Sequence, residues 1–410
     1  MSRPACTLIS YAYALNDPTP RNAAISLRDA GFDVTIITHR RPGGIVSAVP
    51  DGIQVREGGS AAIYERLGMI GRLLRWRDFR TTVRRTIRET KPNVIVAIMF
   101  HAIASLPESA FRDAATLACV YDIPDEASAG RLDSLCIRKS WSRLKQFHAV
   151  WASDPLKAEL TRERGDLSVL PTVCLNCPRI DVHAPPTWPR DPWLANRLRE
   201  EGLMVPEIGS CIVLRAGAIG EACGVDETIE AIRRSQVNVI GLFMGRPNAD
   251  YRQAITARIK SSGMSNRIAF WDRPNDDDWN RALLGADIGH LIHGPYPEGP
   301  QSRMFALNSS LSNYRLFNYM AAGLPILSYN DPRLDTIHHE IDCFRVCRMN
   351  SLVEDLTRNI SELAANAELR ERLGRAGRLA HETRLNWPSQ FEPVMNALLA
   401  VNARQDHVRK

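Results

Sequence analysis

The apolar positions of this chain fall into short unbroken runs separated by amphipathic stretches, and this rhythm occurs twice. The first run, Cys6–Tyr11, passes through the loop Ala12–Pro18 into a stretch of helical periodicity, Thr19–Ala30, which Gly31 closes before the next run, Val34–Thr38. Pro18 and Pro20 flank that helix start, where a missing N–H does no harm. Further strands are predicted at Val94–Met99, Ala118–Tyr121, Ala149–Ala152 and Ser168–Leu170, with helices between them. A second series starts at Cys211. It reads CIVLRAG, a glycine-punctuated turn, a helix over Asp226–Ser235, VIGLFMG, a helix through Ile255, RIAFW, a helix over Trp279–Leu284, and IGHLI. A long loop, Gly294–Leu311, then leads into SNYRLFNYMAAGLPIL (Ser312–Leu327), which reads as cap, helix, turn and buried strand. Strands without polar alternation, each followed by a helix, predict an α/β protein with doubly wound parallel sheets. Between the two series, Pro171–Pro206 is rich in proline and tryptophan and reads as a linker with a short helix at Trp193–Glu201. The expected domains are 1–170, a linker over 171–206, 207–385, and a closing helix over 386–410.

Length agrees with this division, since 410 residues exceed one ordinary core and suit two domains of about 170 to 200 residues. No apolar run approaches the ~18 residues that span a bilayer. The stretch MSRPACTLISYAYALNDP lacks an apolar signal core, so a cytoplasmic location is expected. Nine cysteines, an odd number without regular spacing, suit reduced thiols. Cys174 and Cys177 form a CxxC and Cys343 and Cys347 a CxxxC. These pairs lie far apart, whereas a zinc site needs four converging ligands, and no metal is expected.

Charge is uneven. Residues 1–170 hold 24 Lys/Arg against 18 Asp/Glu, and residues 171–410 hold 28 against 28, so the whole excess of +6 sits in the first part. Between Arg72 and Lys91, RLLRWRDFRTTVRRTIRETK carries eight basic and two acidic residues. On a helix, Trp76, Phe79, Val83 and Ile87 make one apolar stripe. Arg77, Arg80, Arg84, Arg88 and Lys91 run beside it. Two readings stay open: a peripheral contact with an anionic membrane or anionic acceptor, and a solvated flank on a helix packed against its own sheet. Nucleic acid is not expected, because no aromatic-basic interleaving accompanies the modest excess.

Ser312–Leu327 carries the most information. Ser312 is placed to cap the helix, whose free N–H groups form an anion site at the positive end of the dipole. Gly323 supplies the left-handed turn that ends the helix, and Pro325 opens the next element. The block resembles the donor-site helix of family 4-like glycosyltransferases of the GT-B fold, whose usual form is close to NKLFEYMAAGLPVI. Weaker likenesses follow in order along most of the chain. DPTPRNAAISLRDAGFDVTII resembles the family's first helix and strand, and KPNVIVAIMFHAI the strand leading to the acceptor-side histidine, here His101. CVYDIPDE is similar to YDxHE, LPTVCLNCP to the VPNCP segment, and VLRAGAIGEACGVDETIEAI to the glycine-rich donor turn. The resemblance implies two Rossmann-like domains facing a cleft, with the last helix crossing back onto the first. It also implies a nucleotide-diphosphate sugar as donor substrate, with no tightly bound cofactor.

In a metal-free site, stabilising a departing diphosphate falls to helix dipoles, backbone N–H groups and arginines. The candidates are the turn from Gly217 to Gly220, the Gly245–Arg246 corner, and the helix start from Ser312 to Arg315. Arg315 replaces the family's lysine and adds a planar fork that suits phosphate. Arg273 is a candidate beside the nucleobase, or else a surface turn residue. His101 and Asp122 are implied near the acceptor, and Glu298 is the nearest free carboxylate in the long loop.

Several positions depart from the family pattern. Asn318 stands where a glutamate holds the ribose hydroxyls, and either takes over that role or faces solvent. Cys223–Gly224 replaces Lys-Gly, Pro124 replaces the histidine of YDxHE, and Ser310 lies where the first of two glutamates is usual. Asp276, Asp277 and Asp278 look like a metal-binding DxD but precede a helix, where carboxylates favour the dipole. The reading that follows is a retaining, metal-independent glycosyltransferase acting on a glycan, lipid-linked or small-molecule acceptor, as in polysaccharide biosynthesis. The alternative is a non-catalytic GT-B pseudoenzyme that binds a ligand or partner subunit. A dehydrogenase is set aside because no strand runs into a clean GxGxxG with a ribose-binding acid beyond it.

Overall fold

The computed structural model describes residues 3–40, 48–126, 129–206, 211–235, 238–272, 274–294, 308, 311 and 313–409. The chain forms two compact units, Met1–Asn176 with Trp387–Lys410, and Cys177–Asn386.

The first unit is built on seven strands: β1 (Ala5–Ser10), β2 (Asp33–Thr38), β3 (Ile53–Glu57), β4 (Val94–Ile98), β5 (Ala115–Val120), β6 (Ala149–Ala152) and β7 (Thr172–Val173). Their order is β3-β2-β1-β4-β5-β6-β7, and every pairing is parallel. β4 and β5 are buried along their whole length, because helices cover both faces of the sheet. That is why the central strands read as continuous apolar runs. β3 was not expected from the sequence: as an edge strand it carries exposed Gln54 and Glu57, and its pattern is too polar to stand out. Ser168–Leu170 is not a strand. Val169 and Leu170 are 73% and 45% exposed, and pairing with β6 begins only at Thr172.

The helix Trp387–Arg409 belongs to this unit. Trp387, Phe391, Val394 and Leu398 join the core cluster of Leu8, Val96 and Leu117. Trp387 stacks on Phe391 at 5.0 Å and donates from Nε1 to Ser26 Oγ at 3.0 Å.

The second unit has six parallel strands: β8 (Cys211–Ala216), β9 (Val239–Met244), β10 (Ile268–Trp271), β11 (Ile288–His290), β12 (Ile326–Tyr329) and β13 (Phe344–Cys347). Their order is β10-β9-β8-β11-β12-β13. Both sheets therefore reverse direction once, at β1/β4 and at β8/β11. In open α/β sheets the crevice outside the carboxyl ends of the strands at such a reversal is where ligands bind.

Three local expectations change. The helix Tyr314–Ala321 is capped by Asn313, whose Oδ1 accepts from Arg315 N at 3.2 Å, so the cap lies one residue after Ser312. The three aspartates fill the first turn of the helix Asp276–Gly285, but its cap is Asn275, which accepts from Asp278 N at 2.8 Å. The helix that carries the basic segment Arg72–Lys91 begins earlier, at Gly68, and ends at Thr90, with Lys91 as its left-handed cap. All nine cysteines are buried and free, and among the described residues no group of three or more His, Cys, Asp or Glu is placed to hold a metal ion. No described helix is long and apolar enough to cross a membrane.

Candidate functional site

At the reversal point of the second sheet, two glycine turns touch. Gly217 leaves β8 with φ 118° and donates to Met244 O at 2.7 Å, while Gly245 leaves β9 with φ 152°. A Cβ at Gly245 would stand 1.9 Å from Gly217 O, so only glycine fits there. Gly220 is fully extended, and the space where its side chain would point is open. At Gly220 the backbone is therefore free of side-chain cover on that side, as close approach to a ligand requires.

Arg215, the next-to-last residue of β8, is fully buried. It donates from Nε to Ala218 O at 2.8 Å and from Nη1 to Ile292 O at 2.8 Å and His290 Nδ1 at 3.0 Å. Its Nη2 is buried without a partner among the described residues. Because His290 accepts at Nδ1, its proton sits on Nε2 and is donated to Thr228 Oγ1 at 2.7 Å; Thr228 donates in turn to Gly224 O at 2.6 Å. Burial, followed by the charges of Arg215 and Arg315, holds His290 well below its ordinary pKa.

Arg315 opens the Tyr314–Ala321 helix from the other side. Its Nε donates to Ala216 O, and its Nη1 to His293 Nε2 at 3.2 Å. His293 Nε2 also faces Asn313 Nδ2 at 2.9 Å, and burial with the two arginines keeps this ring neutral. Arg315 itself is pushed down to about 10 by burial and by Arg215, which leaves it charged at neutral pH. Among the described residues neither Arg215 nor Arg315 forms an ion pair with a carboxylate. Two neighbouring guanidiniums withdrawn from water without a counter-charge are costly by themselves, and a bound anion would offset that cost.

Tyr319 fixes the floor of this pocket. Its hydroxyl accepts from Ala216 N at 3.0 Å and lies 3.1 and 3.2 Å from Leu214 O and His290 O, tying the ends of β8 and β11 together. Gly289 makes room for its ring, since a Cβ there would stand 2.6 Å from Tyr319 Cγ.

The structure thus brings together Gly217 and Arg315 on one strand edge, beside Arg215, His290 and His293. Arg246 follows Gly245 at the same edge and is exposed, with no hydrogen bond or ion pair among the described residues. Arg273, Glu298 and Ser312 lie outside the described residues. Asn318 does not face solvent. It is 6% exposed, donates from Nδ2 to Tyr314 O at 3.0 Å, and accepts at Oδ1 from His183 Nε2 at 3.1 Å. Burial pushes His183 down to about 4, so the ring is neutral.

In the first unit, His101 lies just past β4 in a helix, Met99–Ser105, whose first residue has φ 67°. A left-handed methionine is uncommon, and such strain collects at functional positions. His101 stacks on Tyr11 at 4.6 Å and is hydrogen-bonded to Asp133 Oδ1 at 2.9 Å, a bond that holds the Asp133 carboxyl below its ordinary range. Asp122, just past β5, belongs to a different set. It pairs at 3.1 Å with the buried Lys157 Nζ, which also donates to Tyr121 O at 2.6 Å.

Sequence reasoning missed Arg215, His290, His293 and His183. The signal for the first three was present as one arginine inside an apolar strand, CIVLRAG, and two histidines three apart in IGHLIH.

Residues 229–394 match the family model described as glycosyl transferase-like. No curated protein matches the chain. Among solved structures, the chain is similar to WaaG, a glycosyltransferase involved in lipopolysaccharide biosynthesis, at 15% identity and a TM-score of 0.63, covering 95% of this chain and 98% of that one. It is similar to Anabaena Alr3699/HepE in complex with UDP and glucose, at 13% identity and a TM-score of 0.68 over 97% and 100% of the two chains. The sucrose-phosphate synthase of Thermosynechococcus elongatus gives 14% identity and a TM-score of 0.68 over 100% of both. With both sheet orders in place and these solved neighbours matched over nearly their whole length, the chain has the GT-B fold, and its residues 229–394 are similar to the glycosyl transferase-like family.

Proposed function

We propose that the protein transfers a sugar from a nucleoside diphosphate donor, whose diphosphate lies against Arg215, Arg315 and the uncovered backbone at Gly220. The observation that carries this reading is the pair of guanidiniums at the β8/β11 reversal, which have no carboxylate partner among the described residues. As the glycosyl bond breaks, negative charge grows on the departing diphosphate, and donors fixed beforehand in a water-poor pocket stabilise it without reorganising. That arrangement supports a metal-independent reaction, retaining by family analogy. HepE, solved with UDP, supports a uridine nucleotide as the first donor to try. His101, oriented by Tyr11 and Asp133, is the group proposed to meet the acceptor, and Asp122, held separately by Lys157, is the second acceptor-side candidate. A glycan, a lipid-linked sugar and a small molecule all suit that role, and the likeness to WaaG favours surface-polysaccharide synthesis. The proposed setting is the cytoplasm at the inner face of the membrane, with Arg72–Lys91 in peripheral contact with anionic lipid.

The test is a screen of nucleotide sugars for donor hydrolysis and transfer, run in parallel with EDTA and with magnesium. Equal turnover in both supports metal independence, and strict dependence on a divalent ion removes it. A second reading, a pseudoenzyme that binds a ligand without turnover, is favoured by Asn318, whose amide is engaged by His183 and Tyr314. Nucleotide binding without hydrolysis or transfer for any donor would select it.

A further inference from the structure

We propose that the first unit docks on an anionic lipid bilayer through a preformed apolar ridge spanning Ile63–Leu74, rather than through the basic stripe alone. Ile63, Leu67, Met69, Ile70, Leu73 and Leu74 are 60%, 42%, 71%, 63%, 50% and 36% exposed. These six are crowded into twelve residues, whereas elsewhere among the described residues exposed large apolar side chains occur singly or, at Val169 and Leu170, as a pair. Crowding of this kind marks an interaction surface, and scattered exposure does not.

The ridge is built, not frayed. A short helix, Ile63–Arg66, folds back on Gly68–Thr90, and Gly71 permits the closure, since a Cβ there would stand 1.8 Å from Tyr64 O. Arg75 pairs with Glu65 at 3.7 Å, and Asp78 Oδ2 accepts from Gly59 N at 2.7 Å. Both nearby acids are thus held by partners of their own. Further along the helix, Phe79 and Val83 are fully buried against the sheet. The apolar stripe expected from the sequence therefore packs inward, and the unpartnered apolar face lies in the turns before it.

Charge decides the occupant. Arg66, Arg72 and Arg77 are exposed within and just beyond the ridge, and Arg84, Arg85 and Arg88 continue along the helix. An apolar ridge rimmed by arginines suits the boundary between acyl chains and anionic headgroups. A second copy suits it less, because a two-fold contact would set like charges against each other. The inference deepens the membrane contact proposed above and rests on no catalytic assignment.

The experiment is flotation of the full chain with vesicles of phosphatidylcholine alone and of phosphatidylcholine with roughly one third phosphatidylglycerol. The parent is expected to float with the anionic vesicles. Ile70→Glu/Leu73→Glu is expected to lower the partition coefficient by more than about tenfold, even at low salt. Arg66→Gln/Arg77→Gln is expected to lower it about fivefold per arginine, with the remaining binding less sensitive to salt. All four side chains are exposed, so both variants should keep the parent's melting temperature. Three outcomes would overturn the proposal: a parent that floats with neither vesicle, a ridge variant that floats as the parent does, or a parent that dimerises through the ridge in solution. Flotation does not involve donor turnover, so a failed glycosyl transfer leaves this result standing.

Discussion

The guanidinium of Arg315 lies against Gly217, so closely that a Cβ at that position would stand 2.7 Å from Nη2. The helix start and the glycine turn are therefore one unit, and the absent side chain is what lets the guanidinium pack on the turn. Gly217→Ala should displace Arg315 as well as strain a backbone at φ 118°. Calorimetry should show diphosphate affinity falling while nucleoside affinity changes little. Equal loss of both would place the effect on the fold.

If the diphosphate lies against Arg315 as proposed, Arg315→Ala removes a charge-assisted contact worth about 1.5 to 3 kcal/mol. The expected result is again selective, with UDP weakened by roughly tenfold or more and uridine unaffected. Unchanged UDP affinity would place the guanidinium away from the ligand.

Asn318→Ala leaves the buried Nε2–H of His183 without its acceptor, which costs about 1 to 3 kcal/mol of stability. If Asn318 also holds the ribose, nucleoside affinity falls in the same variant, and Asn318→Glu restores it. Denaturation and calorimetry on both variants separate these effects. Lost stability with intact nucleoside affinity would make Asn318 a scaffold residue.

Acid should destabilise the second unit before its carboxylates titrate. His183 has a folded pKa of about 4 against 6.5 for the free side chain, so below pH 6.5 the unfolded chain binds a proton that the folded one refuses. Stability then rises with pH across that window and is fully present above it; the loss by pH 4 is on the order of 3 kcal/mol. His290 and His293 act in the same direction. Melting temperatures of His183→Gln measured from pH 7.5 to 5 should fall less steeply than those of the parent.

Trp387→Ala should cost about 3 to 5 kcal/mol in the first unit, since the ring is fully buried, stacked on Phe391 and bonded to Ser26. Chemical denaturation followed by far-ultraviolet dichroism checks this, and a loss under 1 kcal/mol would mean that the helix packs only loosely.

The two sheets were legible because strands such as CIVLRAG and VIGLFMG are buried on both faces and so write themselves as unbroken apolar runs. Edge elements were not. β3 alternates with polar residues, and the apolar Val169 and Leu170 turn outward where a strand was expected. For the site, a local block pointed to Arg315. The pocket around it depends on β8 and β11 meeting, residues some seventy-five positions apart, as the bond from Arg215 to His290 shows. The one sequence signal for Arg215, a charge inside an apolar strand, went unread. Asn318 shows the opposite failure: its place on the helix was clear, but its partner His183 comes from a segment that composition labels a linker.

The helix that begins at Trp387 has a consequence for how the protein is made. A chain emerging in order completes every strand of its first sheet early, yet that sheet lacks Trp387, Phe391, Val394 and Leu398 until the whole of the second unit has been synthesised. At about 5 to 20 residues per second, the wait is roughly ten to forty seconds. The unit that comes out first is thus the last to be sealed, and its apolar face must stay out of trouble in the meantime.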